Sequence, residues 1–149
     1  MIEPCPSIEQ PGWLALRQAL WPQCSREQHL SEMLSYIASP ERYAQYIAYS
    51  SSEQPIGLVE ASVRTDYVNG TSTSHVAFLE GIYVVPEARR KGIAASLIAT
   101  ISIWAQSIGC KELASDALLE NEASHALHLA LGFKETERVV FFLKSLSRA

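Results

Sequence analysis

The sequence has little that would tie it to a membrane, to nucleic acid or to an oxidising compartment. No apolar run approaches the roughly 18 or more residues that a membrane span needs. The opening MIEPCPSIEQ shows no basic segment followed by an apolar one, so no secretion signal is expected. Cysteine is scarce: Cys5, Cys24 and Cys110 are odd in number, widely separated and fit no metal or redox spacing. Free thiols in a reducing cytoplasm, and no bound metal, are the expectation. Positive charge is short as well. Twelve Lys and Arg stand against sixteen Asp and Glu, a formal charge of −4, which speaks against non-specific nucleic-acid binding. There are no repeats and no low-complexity segments. What remains is an ordinary globular composition, 48% hydrophobic and 19% charged, over 149 residues. That length suits one domain, 1–149, with a sizeable core.

The basic residues that are present are not evenly scattered. Three of the twelve sit together at Arg89, Arg90 and Lys91, inside the stretch Val76 to Ile108 around which the chain is organised. Residues Phe78 to Val85 are β-branched or aromatic except at Leu79, Glu80 and Gly81, which predicts a buried strand. Pro86 ends it, because proline cannot donate to a ladder. From Gly92 on, apolar residues fall at 93, 97, 98, 101, 104, 105 and 108, one face of a helix. The turn Arg89 to Ala94 therefore lies at a helix N-terminus, where backbone N–H groups lack partners and the dipole favours an anion. Gly92 lets the backbone close on a phosphate, and Ala94 is small enough to leave the approach clear. The spacing is neither that of a P-loop nor that of a dinucleotide-binding GxGxxG. Acidic residues are spread elsewhere, so a second substrate meets a mostly acidic protein. That suits a cation.

Read in order, Ile2 to Pro4 predicts a short first strand. Ser7 with Gln10, and Ser25 with Gln28, match the capping-box pattern for two helices, the first through Trp13 and Trp21 to Pro22, the second to about Ile37. Tyr43 to Tyr49 and Ile56 to Val63 read as strands, and Thr65 to Ser74 as a loop rich in turn formers. After the long helix, Gly109 is a stop. Leu113 to Ser115 predicts a short strand ending at Asp116, Asn121 to Leu131 a helix, and Thr136 to Leu143 a last strand. This order implies a mixed α/β sheet, with a right-handed crossover joining two parallel strands around the long helix.

Two carboxylates stand out. Glu80 lies inside an apolar strand, where a carboxylate is penalised by desolvation unless paired or functional. Burial would raise its pKa towards that of a useful base. The bland alternatives are a rim carboxylate or a structural ion pair with an arginine. Asp116 ends the neighbouring strand, where ligands collect in open α/β sheets, or else it is a turn aspartate. Asn121 reads as a helix cap. His125 and His128 are three apart on one helix without a third ligand, so no metal site is proposed there.

The turn Arg-Arg-Lys-Gly-Ile-Ala, behind a strand ending in Val-Val-Pro, resembles the Arg-x-x-Gly-x-Gly/Ala motif of the GCN5-related N-acetyltransferases, which cradles the pyrophosphate of acetyl-coenzyme A (acetyl-CoA). The resemblance implies an α/β fold with a mixed, mostly antiparallel sheet, flanking helices and a parallel strand pair splayed around the cofactor. It implies cofactor contacts at Ile82, Tyr83 and Val84, at Arg89, Arg90, Lys91, Gly92, Ile93, Ala94 and Ala95, and at Asn121. Many relatives carry a tyrosine four residues before the final Gly-Phe as general acid; here that position is His128, in HALHLALGF.

Several segments are similar to the aminoglycoside 6′-N-acetyltransferases in particular, from Trp13 to about Lys144. They include Leu-Trp-Pro at 20–22, Glu-Ala-Ser-Val-Arg at 60–64, Asp-Tyr-Val-Asn-Gly at 66–70, Phe-Leu-Glu-Gly-Ile-Tyr-Val at 78–84 and Leu-Gly-Phe-Lys-Glu-Thr-Glu-Arg-Val at 131–139. That resemblance implies acetyl transfer from acetyl-CoA to the 6′-amino group of these antibiotics. It also implies a drug site of Trp21, Tyr67, Glu80, Asp116 and Glu137, with Glu80 and Asp116 taking part in catalysis and with Cys24 and Asp66 beside the aromatic pair. Carboxylates on separate strands suit a rigid polycation, since each can make charge-assisted bonds to a different ammonium. Without the resemblance, Trp21 reads as a core residue and Tyr67 as an ordinary loop tyrosine. The last strand implies a homodimer. Acetylation of polyamines or another small amine, a peptide-acetylating enzyme, and a non-catalytic acetyl-CoA sensor are the alternatives.

Overall fold

The structure, a computed structural model, describes residues 1–147, which divide into one unit over Met1–Asp116 and a second beginning at Ala117. In the first unit a five-stranded sheet runs in sequence order, with β1 (Ile2–Pro4), β2 (Tyr43–Tyr49), β3 (Pro55–Arg64), β4 (Val76–Val84) and β5 (Leu113–Ala114). The first four are antiparallel neighbours, while β4 and β5 are parallel, joined through α3 (Ile93–Ser107). This is the mixed sheet expected.

Alternation along β3 assigns its residues to two faces. Leu58 belongs to one face, in a core with Trp13 and Leu16 of α1 (Trp13–Leu20), Met33 of α2 (Arg26–Ala38), and Ile47. Gly57 belongs to the other, and a side chain there would run into Ile93 Cγ2 and Leu97 Cδ1 of α3, each at 3.1 Å. On that side Leu97, Ile98, Ile101 and Ala105 are the buried positions of α3, in keeping with the helical spacing of its apolar residues.

The two Ser-x-x-Gln patterns end differently. At α2 the box closes: Gln28 N–H donates to Ser25 Oγ at 3.1 Å, and Ser25 N–H to Gln28 Oε1 at 2.7 Å. At Ser7 the expectation fails. Glu9 N–H donates to Ser7 Oγ and Gln10 N–H to the Ser7 carbonyl, a turn that closes ahead of Pro11 and Gly12, so α1 begins only at Trp13 without a side-chain cap. The pattern describes side-chain reach, and the local turn takes the same donors first.

In the second unit α4 (Glu122–Ala130) is capped by Asn121, whose Oδ1 accepts from Ser124 N–H at 3.1 Å. The expected last strand is a correction. Residues 133–146 have no regular secondary structure, and Val140, Phe141, Phe142 and Leu143 are 75%, 88%, 93% and 97% exposed. A β-prone run becomes a strand only where another edge takes its N–H and C=O groups, and among the described residues none does.

Candidate active site

The site is built around β4. Its register against β3 steps from Glu60–Gly81 to Ala61–Leu79, so Glu80 is the extra residue of a β-bulge. Bulges re-aim side chains, and the Glu80 carboxylate is turned towards the next residues of β3. Its Oε1 accepts from Ser62 Oγ at 2.8 Å and from Arg64 Nη2 at 3.0 Å, while Oε2 lies 3.5 Å from the same guanidinium nitrogen. Its side chain keeps 25% exposure. The burial expected for Glu80 is thus corrected: it is partly open, and it makes the arginine ion pair that stood as the alternative. One oxygen is fully engaged, and the other has acceptor capacity to spare.

Gly81, next in the strand, is required by a close approach. A Cβ there would stand 2.5 and 2.6 Å from Cζ2 and Cη2 of Trp21, and 2.9 Å from Leu20 Cδ2. The benzo edge of the Trp21 indole therefore lies against the bare backbone of Gly81, the residue that follows Glu80. This brings together two of the residues singled out from sequence.

Beneath them is a set that sequence reasoning missed. Glu60, Arg17 and His29 are all buried. Glu60 accepts from Trp13 Nε1 at 2.8 Å and from Arg17 Nη1 at 2.5 Å. The same arginine gives Nη2 to Glu32, which is half-exposed, and Nε to His29 Nδ1 at 3.2 Å. Burial pushes the Glu60 carboxyl above its ordinary range, and Arg17 with the Trp13 bond offsets this only in part. Burial likewise works against the Arg17 charge, which Glu60 and Glu32 more than restore. The signal existed: Glu60 sits in Ile-Gly-Leu-Val-Glu-Ala-Ser-Val as Glu80 sits in Phe-Leu-Glu-Gly-Ile, and the desolvation argument applies to both.

The other end of β4 opens. β5 pairs with Ala77 and Phe78, and among the described residues no strand takes the same side of Leu79 to Val84. The strand leads through a short 3-10 turn, Pro86–Ala88, into the basic turn. Arg90 and Gly92 both have positive φ, 63° and 81°. Gly92 is the residue before α3, where no side chain caps the first turn. Arg89, Arg90 and Lys91 are exposed, and Arg89 Nε donates to the Val84 carbonyl at 2.8 Å, tying turn to strand. Free helix-start N–H groups beside three cations suit a pyrophosphate, and an open strand edge suits the amide groups of a pantetheine arm. The donor set fits acetyl-CoA.

Other candidates are more loosely placed. Asp116 is exposed, two residues beyond β5. Tyr67 is 73% exposed in its loop, with Asp66 beside it also exposed. Cys24 is partly buried and donates its N–H to the Trp21 carbonyl at 3.1 Å. Asn121 and Glu137 belong to the second unit, where Glu137 is exposed. His128 Nδ1 donates to the Ser124 carbonyl at 2.7 Å, and its ring meets Phe133 edge-on at 5.2 Å. His125 Nε2 donates to the Leu118 carbonyl at 2.9 Å. Among the described residues no three His, Cys, Asp or Glu gather as metal ligands, and no helix is long and apolar enough to cross a membrane.

A parallel strand pair that parts at its ends, with an uncapped helix start and a cationic turn at the opening, defines an α/β transferase fold for a phosphate-bearing acyl donor. The chain belongs to the Acetyltransferase (GNAT) family, whose model matches residues 13–133. It is 52% identical over 145 residues, 97% of this chain and 98% of the relative, to the aminoglycoside N(6')-acetyltransferase type 1 of Acinetobacter baumannii. The crystal structure of an aminoglycoside antibiotic 6'-N-acetyltransferase from that organism superposes with a TM-score of 0.92 at 50% identity, covering 99% of both chains. The structure of AAC(6')-Iy with the bisubstrate analogue CoA-S-monomethyl-acetylneamine gives 0.91 at 41% identity, covering 97% of each.

Proposed function

We infer that this protein is an aminoglycoside 6′-N-acetyltransferase, moving the acetyl group of acetyl-CoA to the 6′-amine of the antibiotic and so conferring resistance. The observation that carries it is the composition of β4. The bulged Glu80, with Trp21 on Gly81, stands at the amine end, and two residues on Ile82 to Val84 continue the open edge towards the Arg89–Gly92 turn. One strand lines both substrates.

When bound, acetyl-CoA supplies the acetyl group as a thioester and carries the thiolate away. Arg89, Arg90 and Lys91, with the N–H groups of Ile93, Ala94 and Ala95 after Gly92, hold its pyrophosphate. The edge of Ile82, Tyr83 and Val84 orients its amide arm, and N–H groups there face the carbonyl oxygen as charge develops on it. Trp21 and Tyr67 offer aromatic faces to the sugar rings and ammonium groups. Glu80 and Asp116 pair with ammonium groups, and Glu80 Oε2 takes the proton that the attacking amine must lose, directly or through a water. Asn121 at the cofactor arm and Glu137 at the drug are assigned from the resemblance alone. His128, engaged at Ser124, is given no proton to deliver. In this reading 1–149 is a single catalytic domain of the cytoplasm, and it acts neither on nucleic acid nor at a membrane.

Thiol release from acetyl-CoA tests the reaction, with neamine and paromamine as matched acceptors bearing an amine or a hydroxyl at the 6′ position. Turnover with neamine alone is expected. Turnover with both would move the acetylated nitrogen elsewhere, and silence with both would remove the drug as substrate.

The same reading makes the protein a homodimer, supported by the exposed run Val139 to Leu143, which is apolar, β-prone and unpaired. Such a segment is stabilised by another chain's edge. The double variant Val140→Asp, Phe142→Asp is expected to elute as a monomer in light scattering, where the parent runs at twice that mass; equal masses would refute it.

A further inference from the structure

We propose that the buried set Arg17, Glu60 and His29 positions Trp21 for the acceptor amine, acting on acceptor affinity without touching either substrate. The proposal rests on Trp21 being an aminoglycoside-facing residue.

The ring and the carbonyl of Trp21 meet side chains of this set, and its ring also meets the strand it covers. Its N–H donates to the Arg17 carbonyl at 2.8 Å, one turn back in α1. Its carbonyl lies 3.2 Å from His29 Nε2. Since Arg17 Nε can only donate, His29 Nδ1 must accept, which leaves the ring proton on Nε2 to be donated to Trp21. The Arg17 guanidinium then stands over the indole, 4.9 Å from the ring centroid. Gly81 leaves no room between that ring and the strand.

Arg17 is itself fixed in three directions, by Glu60, Glu32 and His29. Glu60 is anchored on the central strand β3, opposite Gly81. The strand that presents the bulged Glu80 therefore also registers the arginine that orients the indole next to it. Two side chains of the set meet Trp21 directly, Arg17 over its ring and His29 at its carbonyl, which is more than a buried ion pair needs for its own sake. These are positioning residues, since none reaches the reacting atoms.

The test separates positioning from folding by replacing the whole buried pair. Arg17→Met with Glu60→Leu removes both charges together, so neither is left buried alone; the thermal midpoint is expected to fall by less than in Glu60→Ala, the remaining loss being the acceptor of Trp13 Nε1. The KM for neamine is expected to rise about tenfold, the worth of one oriented cation–aromatic contact, while the KM for acetyl-CoA stays within about twofold. In a Trp21→Ala background, which raises the neamine KM by itself, adding Arg17→Met and Glu60→Leu is expected to raise it no further. A neamine KM raised by Trp21→Ala but unchanged in the double variant overturns the positioning role alone. An increase that persists undiminished after Trp21→Ala overturns it too, because the pair would then act by another route. An unchanged neamine KM in Trp21→Ala itself removes the Trp21 assignment, and the proposal with it.

Discussion

Glu80→Gln is expected to lower kcat with neamine by about a hundredfold, the lower end of what a positioned general base contributes, while affinity for acetyl-CoA survives. The amide keeps the shape of the side chain, and its carbonyl oxygen can still accept from Ser62 Oγ and Arg64, the two partners of Glu80 Oε1. What it loses is the capacity of the second oxygen to take a proton and to pair with an ammonium. Because the arginine it pairs with, Arg64, is 42% exposed, the substitution leaves no buried charge alone, so a folding defect is not expected to account for the loss. Asp116→Ala is expected to weaken turnover in the same direction and likewise to spare the cofactor. Steady-state kinetics with both substrates varied, beside cofactor titration by calorimetry, checks this. Wild-type turnover in both variants would remove the two carboxylates from the active site.

The second large effect is on stability. Glu60→Ala leaves the buried Arg17 with only the half-exposed Glu32 and the neutral acceptor His29, and takes away the acceptor of Trp13 Nε1. Breaking a buried pair from one side costs about 3–5 kcal/mol, far more than removing an exposed one. The urea midpoint is expected to fall accordingly with the slope unchanged. Glu135→Ala, which breaks the exposed pair with Arg138, serves as the control and is expected to leave the midpoint within experimental scatter. A Glu60→Ala protein as stable as the parent would mean that Arg17 finds water or another acceptor, and that the pair is not the closed unit its geometry describes.

These two glutamates mark the limit of what could be read from residues alone. Both interrupt an apolar strand, and the same argument about desolvation applies to each. Glu80 is marked out by the cofactor-like segment Ile82 to Val84 that follows it, whereas nothing next to Glu60 in the sequence sets it apart. The structure reverses their characters: Glu60 is the buried one, and Glu80 is the ion pair with an arginine that had stood as its blander alternative. The bulge decided this, by inserting Glu80 as an extra residue and turning it towards Ser62 and Arg64.

Local chemistry was legible. Pro86 cannot continue a ladder, Gly92 accepts a φ of 81°, and apolar residues at helical spacing run along α3, so strand, basic turn and helix follow from neighbours a few residues apart. The capping box at Ser25 is equally local, and it formed. Where a feature needed a distant partner, the residues themselves were silent. Val139 to Leu143 has every property of a strand except an edge to join. Arg17 and Glu60 are 43 positions apart, and Trp21 meets Gly81 across the fold. Which groups share a face is settled by the order and register of the strands, and register is a property of pairs of segments. The sequence by itself determined a GNAT-type strand–turn–helix suited to an anionic acyl donor; only tertiary structure chose which carboxylate is buried, which stays partly exposed, and which arginine stands behind the tryptophan.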